Sequence, residues 1–249
     1  LNNRFLLSYK SSGSGPLCVF IHGFLESMSM WNYLPLNELN CRKLIIDLPG
    51  HGKSVLNDSN KPSIDFMAEE IVSILNKEKD DFNVVGHSMG GYVALLLKEK
   101  MPSCNKVIML NSNYWSDSSS KKKDRDRVSK IAFKAKNYFI QEAIPNLFSD
   151  QLKYKAEIQE LIQDAQKMTP EAISYASLAM KNRQDKSKGL NSADFIFIHG
   201  ELDSLVNKAM FDLEIMKPAH FHEISNAGHM SYIENHGEVI DVLKLYLID

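Results

Sequence analysis

A serine surrounded by glycines is the part of this sequence best suited to do chemistry. The motif GHSMGG occupies residues 86–91, between an apolar strand-like segment and a helix-like segment. A sharp turn from strand to helix strains the backbone of Ser88, and a side chain at Gly86 or Gly90 would collide with neighbouring backbone. Such a turn lifts the hydroxyl above the sheet and points the following N–H groups at an oxyanion. Ser88 is therefore our candidate nucleophile.

Two other interpretations of this motif are weaker. Glycines can bind phosphate, but the sequence contains neither a GxGxxG nor a GxxxxGK[ST] pattern. Ser88 could also simply cap a helix, as serines often do. A cap would not account for the three glycines around it, so the nucleophile is the better interpretation.

A serine hydroxyl is a weak nucleophile at neutral pH and needs a base that a carboxylate orients. With this motif the chain order is serine, acid, histidine. Asp203 follows Ser88 by 115 residues, and His229 comes 26 residues later, each after a predicted strand. Because active sites of open parallel sheets lie beyond the carboxyl ends of the strands, all three can meet at one edge. We predict that His229 acts as general base and then acid, and that Asp203 orients it.

One other carboxylate and seven other histidines compete for these roles. Asp117 also follows a strand, but Asn111, which is nearer that strand end, carries no carboxylate, and this favours Asp203. His220 and His222 have a two-residue spacing that can mimic metal ligation, but no third ligand stands nearby, so we predict no metal. Of the remaining histidines, His22 and His51 lie in predicted turns, His87 is the variable residue of the serine motif, His199 ends a predicted buried strand and His236 is a surface residue of the last helix.

Short apolar runs supply the elements that must position these residues. Each run has a few residues, mostly Val, Ile, Leu and Phe, without polar alternation, which is typical of strands covered on both faces. The six runs are Leu17–Ile21, Lys43–Ile46, Asn83–Val85, Lys106–Leu110, Asp194–Ile198 and His220–Ile224. The predicted helices between or after them are Ser63–Lys77, Met89–Lys100 and Ile233–Leu247, and Phe5–Tyr9 is predicted to be an antiparallel edge strand. The pattern indicates a doubly wound α/β protein.

The segment 111–193 interrupts this alternation. It has helical patterning and no convincing strand, and a structureless loop of that length would be unusual in a compact domain. The predicted helices are Lys121–Glu142, Asp150–Lys167 and Pro170–Lys186. The segment holds 15 Lys and Arg against 10 Asp and Glu, a net charge of +5 that leaves −7 for the remainder. Solvated helix faces explain this charge, and a basic mouth that attracts anionic substrates is the alternative.

Five motifs in order make the chain resemble the α/β-hydrolase fold superfamily over nearly its whole length. They are IHGF at residues 21–24, DLPGHGKS at 47–54, GHSMGG at 86–91, HGELD at 199–203 and AGH at 227–229. The resemblance implies a mainly parallel twisted sheet flanked by helices, with a helical cap inserted after the family's sixth strand. It divides the chain into a core of residues 1–110 and 194–249 and a helical cap of residues 111–193.

The resemblance also assigns the groups around the nucleophile. The oxyanion hole should consist of the backbone N–H groups of Phe24 and Met89, and His22 should brace the turn before Phe24. The side chains of Phe24, Trp31 and Trp115 are expected to line the substrate pocket.

Composition limits the class of protein further. The chain has 249 residues, a formal net charge of −2 and 44% hydrophobic residues, which excludes intrinsic disorder and gives no reason to expect nucleic acid or an anionic membrane as partner. No apolar run reaches membrane-spanning length, and the start lacks a signal-peptide pattern. Three cysteines, Cys18, Cys41 and Cys104, fit free thiols in a reducing compartment better than a disulfide framework. We therefore expect a cytoplasmic enzyme.

The serine nucleophile points to an acyl-enzyme, whereas the haloalkane dehalogenases and epoxide hydrolases of this fold use aspartate. We expect a carboxylesterase-like hydrolase that cleaves a small or medium ester without metal or organic cofactor. The layout resembles that of pimeloyl-carrier methyl esterases, so an acidic acyl-carrier protein is a candidate partner.

Other functions of the same triad remain open. They are a nonhydrolytic lyase, a thioesterase, a lactonase, a C–C hydrolase and a small-molecule sensor, whereas the cap's excess of Lys and Arg argues against a peptidase. The sequence leaves the acyl and alcohol parts of the substrate, the oligomeric state and the pathway open.

Overall fold

A mostly parallel twisted sheet forms the centre of the molecule. The computed structural model describes residues 7–56, 61–78, 80–188, 192–211 and 220–247. Within these ranges the sheet has seven strands in the order β1-β3-β2-β4-β5-β6-β7, and only β1 runs antiparallel to its neighbour. The strands are β1 Tyr9–Ser12, β2 Leu17–Ile21, β3 Arg42–Ile46, β4 Phe82–His87, β5 Cys104–Leu110, β6 Phe195–Gly200 and β7 Phe221–Ile224. The fold class predicted from the sequence is confirmed.

Both faces of the sheet are covered, which explains the uninterrupted apolar runs. Successive residues of β2 belong to two different apolar clusters, Val19 to one and Phe20 to the other, because neighbouring side chains of a strand point to opposite faces. Helices complete these clusters: α1 Ile64–Leu75, α2 Met89–Lys100, α6 Ser231–Glu234 and α7 His236–Leu247. The parallel strands therefore end together at one edge, where the candidate residues follow them.

Two predicted elements need correction. The edge strand is Tyr9–Ser12 rather than Phe5–Tyr9, whose first two residues lie outside the described ranges. All side chains of this strand are exposed, so main-chain hydrogen bonds to β3 hold it in the sheet. The sequence therefore has no apolar pattern that could predict its position. The last predicted helix is divided into α6 and α7, because Asn235 between them has φ −147° and ψ 59°, outside the helical region.

The segment between β5 and β6 is helical, as its patterning predicts. It contains α3 Ser119–Ala143, α4 Lys155–Ala165 and α5 Pro170–Asn182, and residues 111–188 include no strand. α3 is kinked at Ala135, where φ is −152° and ψ is 48°. α5 ends four residues before the predicted end because Arg183 adopts an extended conformation, with ψ 145°. Its separation as a cap domain, residues 111–193, stays a prediction.

The turn between β4 and α2 has the strained geometry that its sequence predicts. Ser88 has φ 49° and ψ −113°, a left-handed conformation that L residues rarely adopt. A Cβ atom at Gly86 would lie 2.4 Å from the carbonyl oxygen of Gly90, and one at Gly90 would lie 2.4 Å from the carbonyl oxygen of Ile21. Glycine is therefore required at both positions by close backbone contact.

None of the helices in the described part of the chain has the length and apolarity needed to cross a bilayer.

We expect Gly90→Ala to lower the free energy of unfolding by about 1–3 kcal/mol, because the added methyl group overlaps the Ile21 carbonyl and forces the backbone to shift. Urea unfolding of the variant and the wild type measures this difference. The matched control is Gly237→Ala, where a Cβ would meet no atom within 4 Å and where alanine favours the helix. Equal stability of the two variants would contradict the close contact.

Candidate active site

Three side chains from three loops meet at the carboxyl edge of the sheet. Ser88 follows β4, Asp203 follows β6 and His229 follows β7. The Ser88 Oγ atom lies 2.9 Å from Nε2 of His229, and Nδ1 of the same ring lies 2.9 Å from Oδ2 of Asp203. In the tautomer that satisfies both contacts, Nδ1–H donates to the carboxylate and Nε2 accepts from the serine hydroxyl. The structure thus brings together all three residues predicted for catalysis; their roles stay predictions.

The carboxylate of Asp203 is saturated with hydrogen-bond donors. Oδ1 accepts the backbone N–H groups of Leu205 and Val206 at 2.9 and 3.0 Å, and Oδ2 accepts from His229 and from Nδ2 of Asn111 at 3.0 Å. Burial by itself raises the pKa of Asp203, but the neighbouring His229 and these donors hold that pKa well below its usual range. Asp203 is therefore an ionised, fixed partner for the histidine ring.

Asn111 is a further residue of the site, and its side chain connects three of the loops there. It follows β5 with φ 45°, and besides Asp203 it donates to the carbonyl oxygen of Gly228 at 3.1 Å and accepts from the hydroxyl of Ser231. Asparagine tolerates this left-handed conformation better than most residues. Its position directly after a strand is the only signal in the sequence, since the partners of its side chain all lie more than ninety residues away.

Asp117, the rival acid, has other partners. Its Oδ1 atom lies 2.8 Å from Nη1 of Arg183, and its Oδ2 atom lies 3.0 Å from Nε of Arg125. All three residues line the same cavity as Ser88. The carboxylate that faces His229 is therefore Asp203, as predicted from the order of the chain.

One predicted oxyanion donor, Met89, follows the serine in the chain, and the other, Phe24, belongs to a backbone segment close to the serine in space. Met89 is the first residue of α2, where backbone N–H groups have no partner within the helix. Phe24 follows Gly23, and a Cβ atom at Gly23 would lie 3.2 Å from Cβ of Ser88. Both amides therefore belong to backbone next to the serine, and their role as donors stays a prediction.

A cavity of about 790 Å³ opens over Ser88 and His229. Phe24 and Trp115 are among the residues that line it, together with side chains from α3 and α5. Trp31 is not one of its lining residues, so the prediction that it contacts substrate is corrected. Its ring is buried and packs edge-on against Phe20 at a centroid distance of 5.1 Å, in the core under the sheet.

Two other histidines near the site differ in their contacts. His22 braces backbone as expected, because Nε2 accepts from the N–H of Leu48 at 2.9 Å and Nδ1 donates to the carbonyl of Gly23 at 2.8 Å. His87 is the variable residue of the serine motif, and the structure places it against the site, with Nδ1 2.9 Å from Oε2 of Glu26 and Nε2 3.1 Å from the carbonyl oxygen of His229. Neither Glu26 nor this contact was predicted.

Comparison with known proteins identifies the family. Residues 18–242 match the model of an alpha/beta hydrolase family, so the chain belongs to that family.

Curated relatives of this chain carry out more than one reaction. The chain is 26% identical to a 2-succinyl-6-hydroxy-2,4-cyclohexadiene-1-carboxylate synthase of Escherichia fergusonii, over 93% of this chain and 94% of that protein. It is 25% identical to a pimeloyl-[acyl-carrier protein] methyl ester esterase of Aeromonas salmonicida, over 97% and 99%. Protein phosphatase methylesterase 1 of Bos taurus is 30% identical over 94 residues, and the match spans 35% of this chain but only a quarter of that protein.

Solved structures agree with the fold. A thermophilic esterase from Thermogutta terrifontis superposes with a TM-score of 0.87 at 24% identity, covering 97% of this chain and 92% of that chain. At this identity the likeness shows the architecture and not the substrate.

We expect Asp203→Asn to lower kcat/KM for a nitrophenyl ester by about 10⁴-fold, because an amide does not hold the His229 tautomer that accepts the serine proton. The matched control is Asp117→Asn, which changes a carboxylate of the same cavity whose partners are two arginines. Thermal unfolding of both variants separates loss of activity from loss of structure. Similar losses of activity in the two variants would contradict the assignment of Asp203.

Proposed function

We propose that the protein is a serine hydrolase that cleaves a small or medium carboxylic ester through an acyl-enzyme on Ser88. The observation that carries this proposal is the hydrogen-bonded chain from Ser88 through His229 to Asp203, with 2.9 Å at each step. Membership of the alpha/beta hydrolase family supports the class of reaction.

In the acylation step the Ser88 Oγ atom attacks the ester carbonyl carbon while Nε2 of His229 takes the hydroxyl proton. The electron pair of the C=O bond moves to the oxygen, and the backbone N–H groups of Phe24 and Met89 donate to that oxyanion. The ester C–O bond then breaks, and His229 gives its proton to the departing alcohol oxygen. Asp203 stays ionised and stabilises the imidazolium between these transfers.

Deacylation repeats the chemistry with water as nucleophile. Nε2 of His229 takes a proton from water as its oxygen attacks the acyl carbon on Ser88. Collapse of the second oxyanion breaks the bond to Oγ, and His229 returns the proton to the serine. The free acid leaves and the enzyme is restored, so the residues of this chain suffice for the cycle.

The cavity supports an ester of modest size. Its volume of about 790 Å³ lies in the range of pockets for small organic ligands. Phe24 and Trp115 give it apolar walls, and the proposed cap, residues 111–193, contributes much of the lining from α3 and α5. The shape of that segment would then select the acyl and alcohol groups.

A nonhydrolytic lyase is the second candidate, because the match to the Escherichia fergusonii synthase covers nearly the full length of both chains. A lyase would use His229 to move a proton on its substrate and would form no acyl-enzyme. Thioesterase, lactonase, C–C hydrolase and sensor functions use the same groups and are distinguished by substrate.

An acyl-carrier protein as substrate carrier is part of the proposal. The match to the Aeromonas salmonicida esterase and the +5 charge of residues 111–193 support it.

Buried free thiols at Cys18, Cys41 and Cys104 support a reducing, cytoplasmic location.

The test is hydrolysis of p-nitrophenyl acetate and butyrate by the wild type and by Ser88→Ala. We expect the variant to lose kcat by a factor on the order of 10⁶, because the nucleophile is removed. A fluorophosphonate should add one adduct, located at Ser88 by mass spectrometry, to the wild type only.

The control is Ser177→Ala, which alters a fully buried serine of α5 that donates to the carbonyl of Arg125. It should keep both the turnover and the adduct. Ester turnover that survives in Ser88→Ala would refute the proposal. An adduct on Ser88 without turnover of any ester, thioester or lactone would favour the sensor.

A further inference from the structure

A second buried charged pair, Glu26 and His87, lies against the proposed triad and takes no part in the mechanism above. Glu26 is 6% exposed and His87 is 1% exposed. Nδ1 of His87 lies 2.9 Å from Oε2 of Glu26. Placing two charged groups in the interior costs free energy unless each finds partners, so the function of this pair needs explanation.

The hydrogen bonds determine where the protons are. The carbonyl oxygen of His229 can only accept, so Nε2 of His87, at 3.1 Å, must carry a hydrogen. Both oxygens of Glu26 already accept, Oε2 from the N–H of Gly23 at 2.5 Å and Oε1 from the hydroxyl of Tyr232 at 3.0 Å. Two further donors stabilise Glu26 as a carboxylate, which places the proton between Glu26 and His87 on Nδ1. The pair is a carboxylate beside an imidazolium.

The pKa shifts agree with this inventory. Burial by itself lowers the pKa of His87, but the carboxylate of Glu26 raises it above its ordinary value. Burial by itself raises the pKa of Glu26, but His87 lowers it. The titratable groups that face the pair are His22 on the oxyanion loop, His51 beside His22, Tyr232 on α6, and Asp203 and His229 of the proposed triad.

The pair joins the two halves of the catalytic machinery. Glu26 binds the N–H of Gly23, the residue before the proposed donor Phe24, and His87 binds the backbone of His229. A Cβ atom at Gly23 would lie 2.6 Å from Oε2 of Glu26, 2.9 Å from Nδ1 of His87 and 3.2 Å from Cβ of Ser88. The side chains of Glu26 and His87 therefore lie close to Ser88 and to the backbone of the oxyanion loop at Gly23.

We infer that Glu26 and His87 are positioning residues that hold the oxyanion loop and the histidine loop in fixed relation, and that His87 neutralises a carboxylate which would otherwise repel the oxyanion. This inference rests on the proposed function. A carboxylate this close to developing negative charge opposes the transition state, because little water screens it. The imidazolium removes that effect while Glu26 keeps its grip on Gly23.

The test compares His87→Gln, Glu26→Gln and the double variant. His87→Gln leaves the carboxylate of Glu26 without its cationic partner, so kcat should fall by about 100-fold while KM changes little. The double variant has two neutral amides that can bond to each other, and it should recover much of the lost kcat. Tyr232→Phe removes one donor to Glu26 and should lower kcat by a smaller factor.

Two readouts separate positioning from general destabilisation. The control is Lys43→Met, which removes a buried cation that donates to the carbonyl of Leu39. Lys43 lies at the start of β3, away from the edge of the sheet that carries the site. This variant should therefore have a lower unfolding temperature and an unchanged kcat. In the wild type the rate should decline at alkaline pH, where His87 loses its proton and leaves Glu26 unpaired. The double variant should lack that decline.

The rate of fluorophosphonate labelling of Ser88 gives the same comparison without an identified substrate. If the wild type is not labelled, the proposed function and this inference both fail. If the wild type is labelled and His87→Gln is labelled equally fast, only this inference fails. It is also overturned if the double variant is slower than both single variants, or if folded Tyr232→Phe and double variants match the wild type in rate and pH profile.

Discussion

Close contact between two backbone segments is the constraint on which the site depends. The turn after β4 passes so near the end of β2 that a Cβ atom at Gly90 would lie 2.4 Å from the carbonyl oxygen of Ile21. This contact places Ser88 beside the loop of Gly23 and Phe24, and it requires the left-handed backbone of the serine. One close contact therefore holds the proposed nucleophile and the proposed oxyanion donors in fixed relation, so the proposed reaction would need little reorganisation.

Hydrogen bonds that cross the sheet edge complete the arrangement. Asp203 receives four donors, and one of them, Asn111, also donates to the carbonyl oxygen of Gly228, the residue before His229. Each residue of the proposed triad comes from a different loop. The histidine ring is thus oriented by the carboxylate, while its backbone is held separately by His87.

The fold could be predicted because each strand and the glycine turn depend on residues that are neighbours in the sequence. The meeting of Ser88, Asp203 and His229 could be predicted because each follows a parallel strand. The polar strand Tyr9–Ser12 was misplaced because its stability comes from pairing with β3. Trp31 was misassigned because only packing shows that its ring turns into the core against Phe20. The pair of Glu26 and His87 joins residues 61 positions apart, and no local pattern reports such a contact.

The helical segment between β5 and β6 is hydrogen-bonded to the loop that carries His229. The backbone N–H of His229 donates to the carbonyl oxygen of Leu147 at 3.0 Å, and Glu234 accepts from both Ser149 and Gly228. Exchanging this segment for that of a relative would therefore do more than reshape the substrate pocket. A chimera whose backbone places no carbonyl oxygen where that of Leu147 lies would also free the loop of His229, so a change in the pocket would be accompanied by a change in the position of the His229 ring.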